Sequence, residues 1–337
     1  MKRQETHSLD APAAQEAPRG RSRRRRVRVT AAAAAVVLLG GAFTYFNTNV
    51  LNSGRICHGW ASPQEAGAAL GGGIGRVSAS EDSASSCTVE VESWLPGRTK
   101  KLNLRAEAEP SGFPFSKGAW EISGARHVLS GGTHGAYDAY GGWALLPTAC
   151  ENAATASGTS PALRAAVIGK SARGDADGMR RLLTSAARAR ADSTDCTASG
   201  HADGATRSSA PSTAGATDLD AVCGINGFRL PGAQSPQGRR IDEQVTGTLR
   251  QGLYCDLTFE GEEKGAFAHL AVVSDPALVA ALKGRDFTRA RCDGKETVLA
   301  YDLRYFGAAE RAATHLPDAA GFSKAFDDAA RTALSCR

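Results

Sequence analysis

Apolar and polar residues alternate with a period of two in several short stretches, and with a helical period in a few longer ones. The stretches Cys87-Thr-Val-Glu-Val-Glu-Ser-Trp94 and Cys255-Asp-Leu-Thr-Phe-Glu260 have the first pattern, and 99–107 carries Leu102, Leu104 and Ala106 in the same alternation. Such segments read as half-buried strands. Further strands are expected near 74–79, 253–260, 266–273 and 297–306. Met179, Leu182, Leu183, Ala186 and Ala187 fall on one helical face, and so do Phe322, Phe326, Ala329, Ala330 and Ala333. Ser62-Pro63-Gln64-Glu65 is a capping box with Pro at the first helical position, and Gly71 to Gly73 ends the short helix it starts. A second capped helix is expected between Asp275 and Gly284, whereas the Ser235-Pro236-Gln237 stretch lacks the Glu that would start a matching one. Runs of strands with few helices predict an α+β chain whose antiparallel sheets each carry a C-terminal helix on one face.

The longest apolar run is Val29 to Phe46, eighteen residues without a charge. As a helix rising ~1.5 Å per residue it would reach roughly 27 Å, enough for a hydrocarbon layer. Residues 1–28 hold nine basic and three acidic side chains, a net of +6, while the whole chain is at +5. The part after residue 28 is therefore near neutral, and no broad cationic face for nucleic acid is implied there. Basic residues on one flank of the run predict a transmembrane signal-anchor helix over 29–46, with a disordered cytoplasmic tail over 1–28 and residues 47–337 outside. The tail arginines could also meet anionic lipid. No small-x-small cleavage site ends the run, and Cys57 lies too far beyond it to be a lipobox cysteine.

Eight cysteines (Cys57, Cys87, Cys150, Cys196, Cys223, Cys255, Cys292 and Cys336) all follow that run. An even count on one side of it predicts disulfides in an oxidising compartment. Cys57 to Cys87 spans 30 residues and Cys223 to Cys255 spans 32; Cys150 to Cys196 spans 46 and Cys292 to Cys336 spans 44. Two copies of a four-cysteine unit, over 47–196 and 218–337, explain the spacing, with 197–217 as a flexible polar linker. Two disulfides are expected per unit. Equal spacings favour pairing first to second and third to fourth, although four cysteines allow three patterns.

The first unit carries extra residues, and its stretch around 110–143 gathers Phe113, Phe115, Trp120, Tyr137, Tyr140 and Trp143 among glycines, with His127 and His134. These aromatics either form a binding loop or complete a thin core, and the core reading is favoured. His127 and His134 could form a metal pair, but isolated histidines are more often structural. Searches for catalytic signatures find no G-x-S-x-G, S-x-x-K, H-E-x-x-H or Walker loop. Gly71 to Gly75 is better read as a helix stop than a phosphate loop, and Asp175-Ala-Asp-Gly178 as a helix N-cap than a calcium loop. No catalytic, cofactor-binding or metal residue is assigned, and no cofactor.

The run from Cys57 through Ser62-Pro-Gln-Glu to Leu70-Gly71, followed by Ser86-Cys87-Thr-Val-Glu, resembles the opening of small Cys-paired domains in actinobacterial envelope lipoproteins of unknown function. The resemblance covers about 35 residues, mainly 57–91, and departs from those proteins in lacking a lipobox. It implies a cell-surface protein and brings no catalytic residue with it. The expected function is a membrane-anchored extracytoplasmic binding or interaction protein of the bacterial envelope, partnered by the membrane and an unknown envelope ligand. An envelope hydrolase or transferase with a site assembled from separate loops is the alternative, and a transmembrane sensor a third.

Overall fold

A computed structural model describes residues 54–72, 75–92, 99–108, 122–147, 161–169, 172–193, 205–261, 265–282, 287–304 and 308–337, with residue 49 and short pieces between 34 and 44. The chain is mostly β. An eight-stranded antiparallel sheet contains β1 (Arg76–Ser83), β2 (Ser86–Glu92), β3 (Lys100–Ala108), β4 (His127–Ser130), β5 (Gly135–Tyr137), β6 (Gly141–Leu145), β7 (Pro161–Ile168) and β8 (Arg207–Ser209), in the order β1-β2-β3-β7-β6-β5-β4-β8. A six-stranded sheet contains β9 (Gly215–Ala216), β10 (Ile241–Thr248), β11 (Gly252–Phe259), β12 (Ala268–Val273), β13 (Thr288–Cys292) and β14 (Lys295–Leu303), in the order β13-β14-β12-β11-β10-β9. Five strands of each follow one plan, with β1-β2-β3-β7-β6 matching β10-β11-β12-β14-β13.

Alternation along the strands explains how the layers stack. Odd positions of β11, Leu253, Cys255, Leu257 and Phe259, join the core beneath helix α5 (Ala319–Ala333), whose Phe322, Phe326, Ala329 and Ala330 are buried. Leu102, Leu104, Tyr137, Ala144, Leu163 and Ala165 of the first sheet pack in the same way on α1 (Pro63–Ala69) and α2 (Ala176–Ser193). The opposite faces meet each other: Val128, Ala136, Trp143 and Ala162 share a third core with Tyr254, Ala271, Val273, Val298 and Ala300. Helix α3 (Pro276–Ala281) adds Leu278 and Val279 to that core, and α4 (Ala308–Thr314) precedes α5. The result is four layers, helix–sheet–sheet–helix, with two-sided burial of the central strands. Close approach at the middle seam requires Gly124, where a Cβ would stand 1.9 Å from the Gln244 carbonyl oxygen. Thr246 Oγ1 binds the carbonyls of Gly124 and Arg126 there, at 2.9 and 3.0 Å.

The caps form as their sequences predict. Ser62 and Glu65 exchange both capping-box hydrogen bonds, and Asp275 Oδ1 accepts from the N–H groups of Ala277 and Leu278. Asp175 Oδ1 accepts from Gly178 N at 2.7 Å at the start of α2. In the second half residues 235–237 form no helix and lie in a turn, while Cys223 itself sits in a short 3-10 turn, Val222–Gly224.

The α+β expectation is corrected to a mostly β architecture: the two antiparallel sheets pack face to face and dominate the described residues, with few helices on their outer faces. The transmembrane helix is corrected too: among the described residues no helix is long and apolar enough to cross a membrane. Helical residues 34–38, 40–41 and 43–44 expose Val36, Val37, Leu38 and Phe43, and the rest of the apolar run lies outside the described residues. The favoured pairing, first to second and third to fourth, holds for the three described bonds, Cys57–Cys87, Cys223–Cys255 and Cys292–Cys336; Cys150 and Cys196 lie outside the described residues. Nor is 197–217 a free linker throughout. Its residues 207–209 and 215–216 form β8 on the first sheet and β9 on the second, and Pro211 bridges Thr246.

Candidate functional site

Among the aromatic residues of the expected binding loop, Phe113, Phe115 and Trp120 lie outside the described residues. Tyr137 and Trp143 are core residues on opposite faces of the first sheet, 2 % and 0 % exposed. Tyr137 stacks on His127 with ring centroids 4.8 Å apart, and its hydroxyl meets Ser208 Oγ at 2.8 Å. Burial pushes the Tyr137 phenol up and the His127 imidazole down. Of the described members, only Tyr140, at the β5–β6 turn, is exposed. These described members therefore do not form one binding surface.

Three histidines meet carboxylates. His58 Nδ1 lies 3.3 Å from Glu81, His134 Nδ1 2.9 Å from Asp275, and His269 Nδ1 2.8 Å from Asp256. The His269–Asp256 pair belongs to a polar row, Gln244–Asp256–His269–Asp302, running in register across β10, β11, β12 and β14. The next row inward is Thr246–Tyr254–Ala271–Ala300, where the sheets close on each other. Burial there drives the Tyr254 phenol far above its usual range, with the Asp275 charge adding to the effect. His127 stacks on Tyr137 while His134 is bonded to Asp275, and neither belongs to a group of three or more metal-like ligands among the described residues. The metal-like grouping among the described residues is Cys223, Glu243 and Cys255, whose ligand atoms lie within 4.8 Å. Both sulfurs are already bonded to each other, so neither is a thiolate ligand. Glu243 instead accepts from Cys223 N at 2.8 Å, and burial raises its carboxyl.

A half-open recess of about 610 Å³ lies between α3 and the β13–β14 hairpin. Ser274, Pro276, Val279 and Ala280 form its helical wall; Arg289, Lys295 and Glu296 form the hairpin wall. Its volume lies within the ordinary range for small-ligand sites. Local sequence explains both walls. Asp275 and Pro276 start α3, and the Asp293-Gly294 turn, with φ of 49° and 79°, folds β13 back along β14. The Cys292–Cys336 bond ties the tip of that hairpin to the residue three beyond the end of α5.

Side chains fix the recess from behind. Arg289 donates to Glu296 Oε1 at 2.7 Å and to the Leu282 carbonyl at the end of α3. Thr288 donates to Asp327 at 2.8 Å, holding β13 against α5, and burial raises the Asp327 carboxyl. On the far side of α3, Asp275 reaches His134 of the first sheet. Burial alone would raise the Asp275 carboxyl. The His134 hydrogen bond and charge, with the two helix N–H donors, overcome this and hold it below its usual value.

Sequence reading did not find this recess, because its walls are 274–280 and 289–296, and only folding juxtaposes them. A visible signal did exist in Arg289, Arg291 and Lys295 crowding one hairpin. No protein-family model, no curated protein and no solved structure matches the chain.

Proposed function

We propose that this chain is an extracytoplasmic binding protein of the cell envelope, whose ligand occupies the recess between α3 and the β13–β14 hairpin. The observation that carries the reading is the recess itself. It has a ligand-sized volume, an apolar wall on one side and charged side chains on the other, and walls tied down by Asp275, Arg289 and the Cys292–Cys336 bond. Oxidised cysteines in the described residues support placement outside the cytoplasm.

The test is a fragment screen against the full chain by ligand-observed NMR, repeated with Ala280→Trp at the exposed residue of the helical wall. The expected result is a set of hits that the bulky indole displaces while thermal unfolding stays cooperative. Hits that ignore the substitution would place binding elsewhere.

A hydrolase or transferase reading draws on the His269–Asp256 pair, since a carboxylate on Nδ1 is how an imidazole is oriented as a general base. A fluorophosphonate probe that labels the native chain but not His269→Ala would favour that reading over binding.

A further inference from the structure

We infer that Cys223, Cys255 and Glu243 are a three-ligand site for a zinc-like divalent cation whenever the two sulfurs are reduced, so that metal ion and disulfide are alternative closures of one bend. The site is independent of the recess. Its three ligand atoms lie within 4.8 Å of one another, and each comes from a different element. Cys223 is placed by the Val222–Gly224 turn, where its φ of 58° bends the chain. Cys255 belongs to β11 and Glu243 to β10. Val245 stands opposite Cys255 and Glu243 opposite Leu257, so alternation puts Glu243 and Cys255 on one face of the sheet. Tetrahedral zinc with sulfur at ~2.3 Å sets two thiolates roughly 3.8 Å apart. Cys223 and Cys255 have Cα atoms 6.0 Å apart, which leaves room for such a pair around one ion.

The donor set suits a borderline-soft ion: two thiolates and a carboxylate are ordinary zinc ligands, with the fourth position left to water. Glu243 is prepared for a cation. Its Oε2 accepts from Cys223 N at 2.8 Å, which holds the side chain at the bend, and no Lys or Arg pairs with it among the described residues. Burial and the Asp218 charge both push its carboxyl up, and a bound cation offsets both. The cysteines are 1 % and 0 % exposed while Glu243 is half-buried, so the carboxylate side is the way in. In the first half the matching carboxylate, Glu81, is already engaged by His58, at 2.8 Å to its N and 3.3 Å to its Nδ1. Opening the bond takes two electrons from an external dithiol, which leaves as a disulfide. The two cysteine thiols then lose their protons as the ion binds. In the reverse direction the thiolates pass two electrons to an oxidising disulfide, which takes up two protons, and the ion is released.

The test is anaerobic titration of the reduced full chain with Co²⁺, read by the thiolate-to-cobalt charge-transfer band and followed by displacement with Zn²⁺. The tightest-bound equivalent is expected to give that band, and the oxidised chain to give none. Cys57→Ser with Cys87→Ser should leave this equivalent in place, and Cys223→Ser with Cys255→Ser should abolish it. Glu243→Gln keeps both thiols and an acceptor for Cys223 N, so its effect is read apart from any loss of folding in the cysteine variants. It should weaken cobalt by at least the roughly ten-fold that even an outer-shell partner carries. No band, a tightest equivalent that survives loss of Cys223 and Cys255, or an affinity unchanged in Glu243→Gln overturns the site.

Discussion

The two sheets share five strands in the same order and the same kind of tether, yet they are finished differently at one place. In each, a first cysteine sits at left-handed φ, 56° at Cys57 and 58° at Cys223, and bonds to a cysteine in the second core strand. A carboxylate from the first core strand then accepts a backbone N–H at that bend, Glu81 from His58 and Glu243 from Cys223. The halves part company between the third and fourth core strands. There the first sheet continues into the β4–β5 hairpin, while the second inserts helix α3. These unlike insertions face each other, through His134 and Asp275 and through Val128, Ala136, Leu278 and Val279 in one shared core. Common structure makes the scaffold, and the difference makes both the seam and one wall of the recess.

If the insertions hold the halves together, the largest effect should come from the seam. Trp143→Ala removes a fully buried indole from between the sheets and should cost about 3–5 kcal/mol, read as a shift in the urea midpoint. Two separate transitions in that variant would show halves that fold alone, and a single lower one would show halves that depend on each other.

Next in size is the polar contact between the insertions. Asp275→Asn keeps a capping side chain on α3 but removes the charge opposite His134, and should cost about 1.5–3 kcal/mol at neutral pH. Because the Asp275 carboxyl is held below its unfolded value, its contribution is present above the unfolded pKa and is lost as pH falls through the folded one. Urea titrations at pH 6 and pH 3 should therefore show native protein losing more stability on acidification than Asp275→Asn. Equal losses would mean that the contact carries no charge-dependent stability.

The smallest effect tests a feature that only the first half has. Ser62→Ala breaks the capping box of α1 and should cost about 1 kcal/mol, seen as a lower melting temperature. A neutral outcome would show that packing of α1 against α2 at Gly178 suffices, a contact so close that a Cβ there would meet the Ala68 carbonyl oxygen at 2.3 Å.

Local chemistry was what the sequence displayed best. Caps at Ser62, Asp175 and Asp275 were legible because a side chain and the N–H it binds lie within three residues of each other. Partner choice across the fold was not. Pro161-Ala-Leu-Arg-Ala-Ala166 and Pro276-Ala-Leu-Val-Ala-Ala281 are nearly the same text, yet the first is strand β7 and the second helix α3. In the first, strands β3 and β6 take up the backbone groups on either side; in the second, Asp275 caps the N–H groups and no strand is alongside. Asp256 reads as a solvent-facing position in an alternating strand, but it is buried on its own face of β11 and is bonded by His269, thirteen residues away. The helical face was read one position out at its end, since Ala333 is exposed and Leu334 is buried. Strands β8 and β9 gave no signal at all: three and two residues long, they are held by bonds to neighbouring strands rather than by apolar side chains of their own.

The sheet-on-sheet seam also sets a schedule for synthesis. Trp143 and Ala136 emerge early, but the surface that covers them, including Val298 and Ala300, is made only near the end of the chain. At ordinary elongation rates that interval is roughly ten to thirty seconds. Through that time an apolar sheet face stands open to any passing strand or hydrophobic surface, and the nascent first half is a natural client for whatever holds incomplete chains.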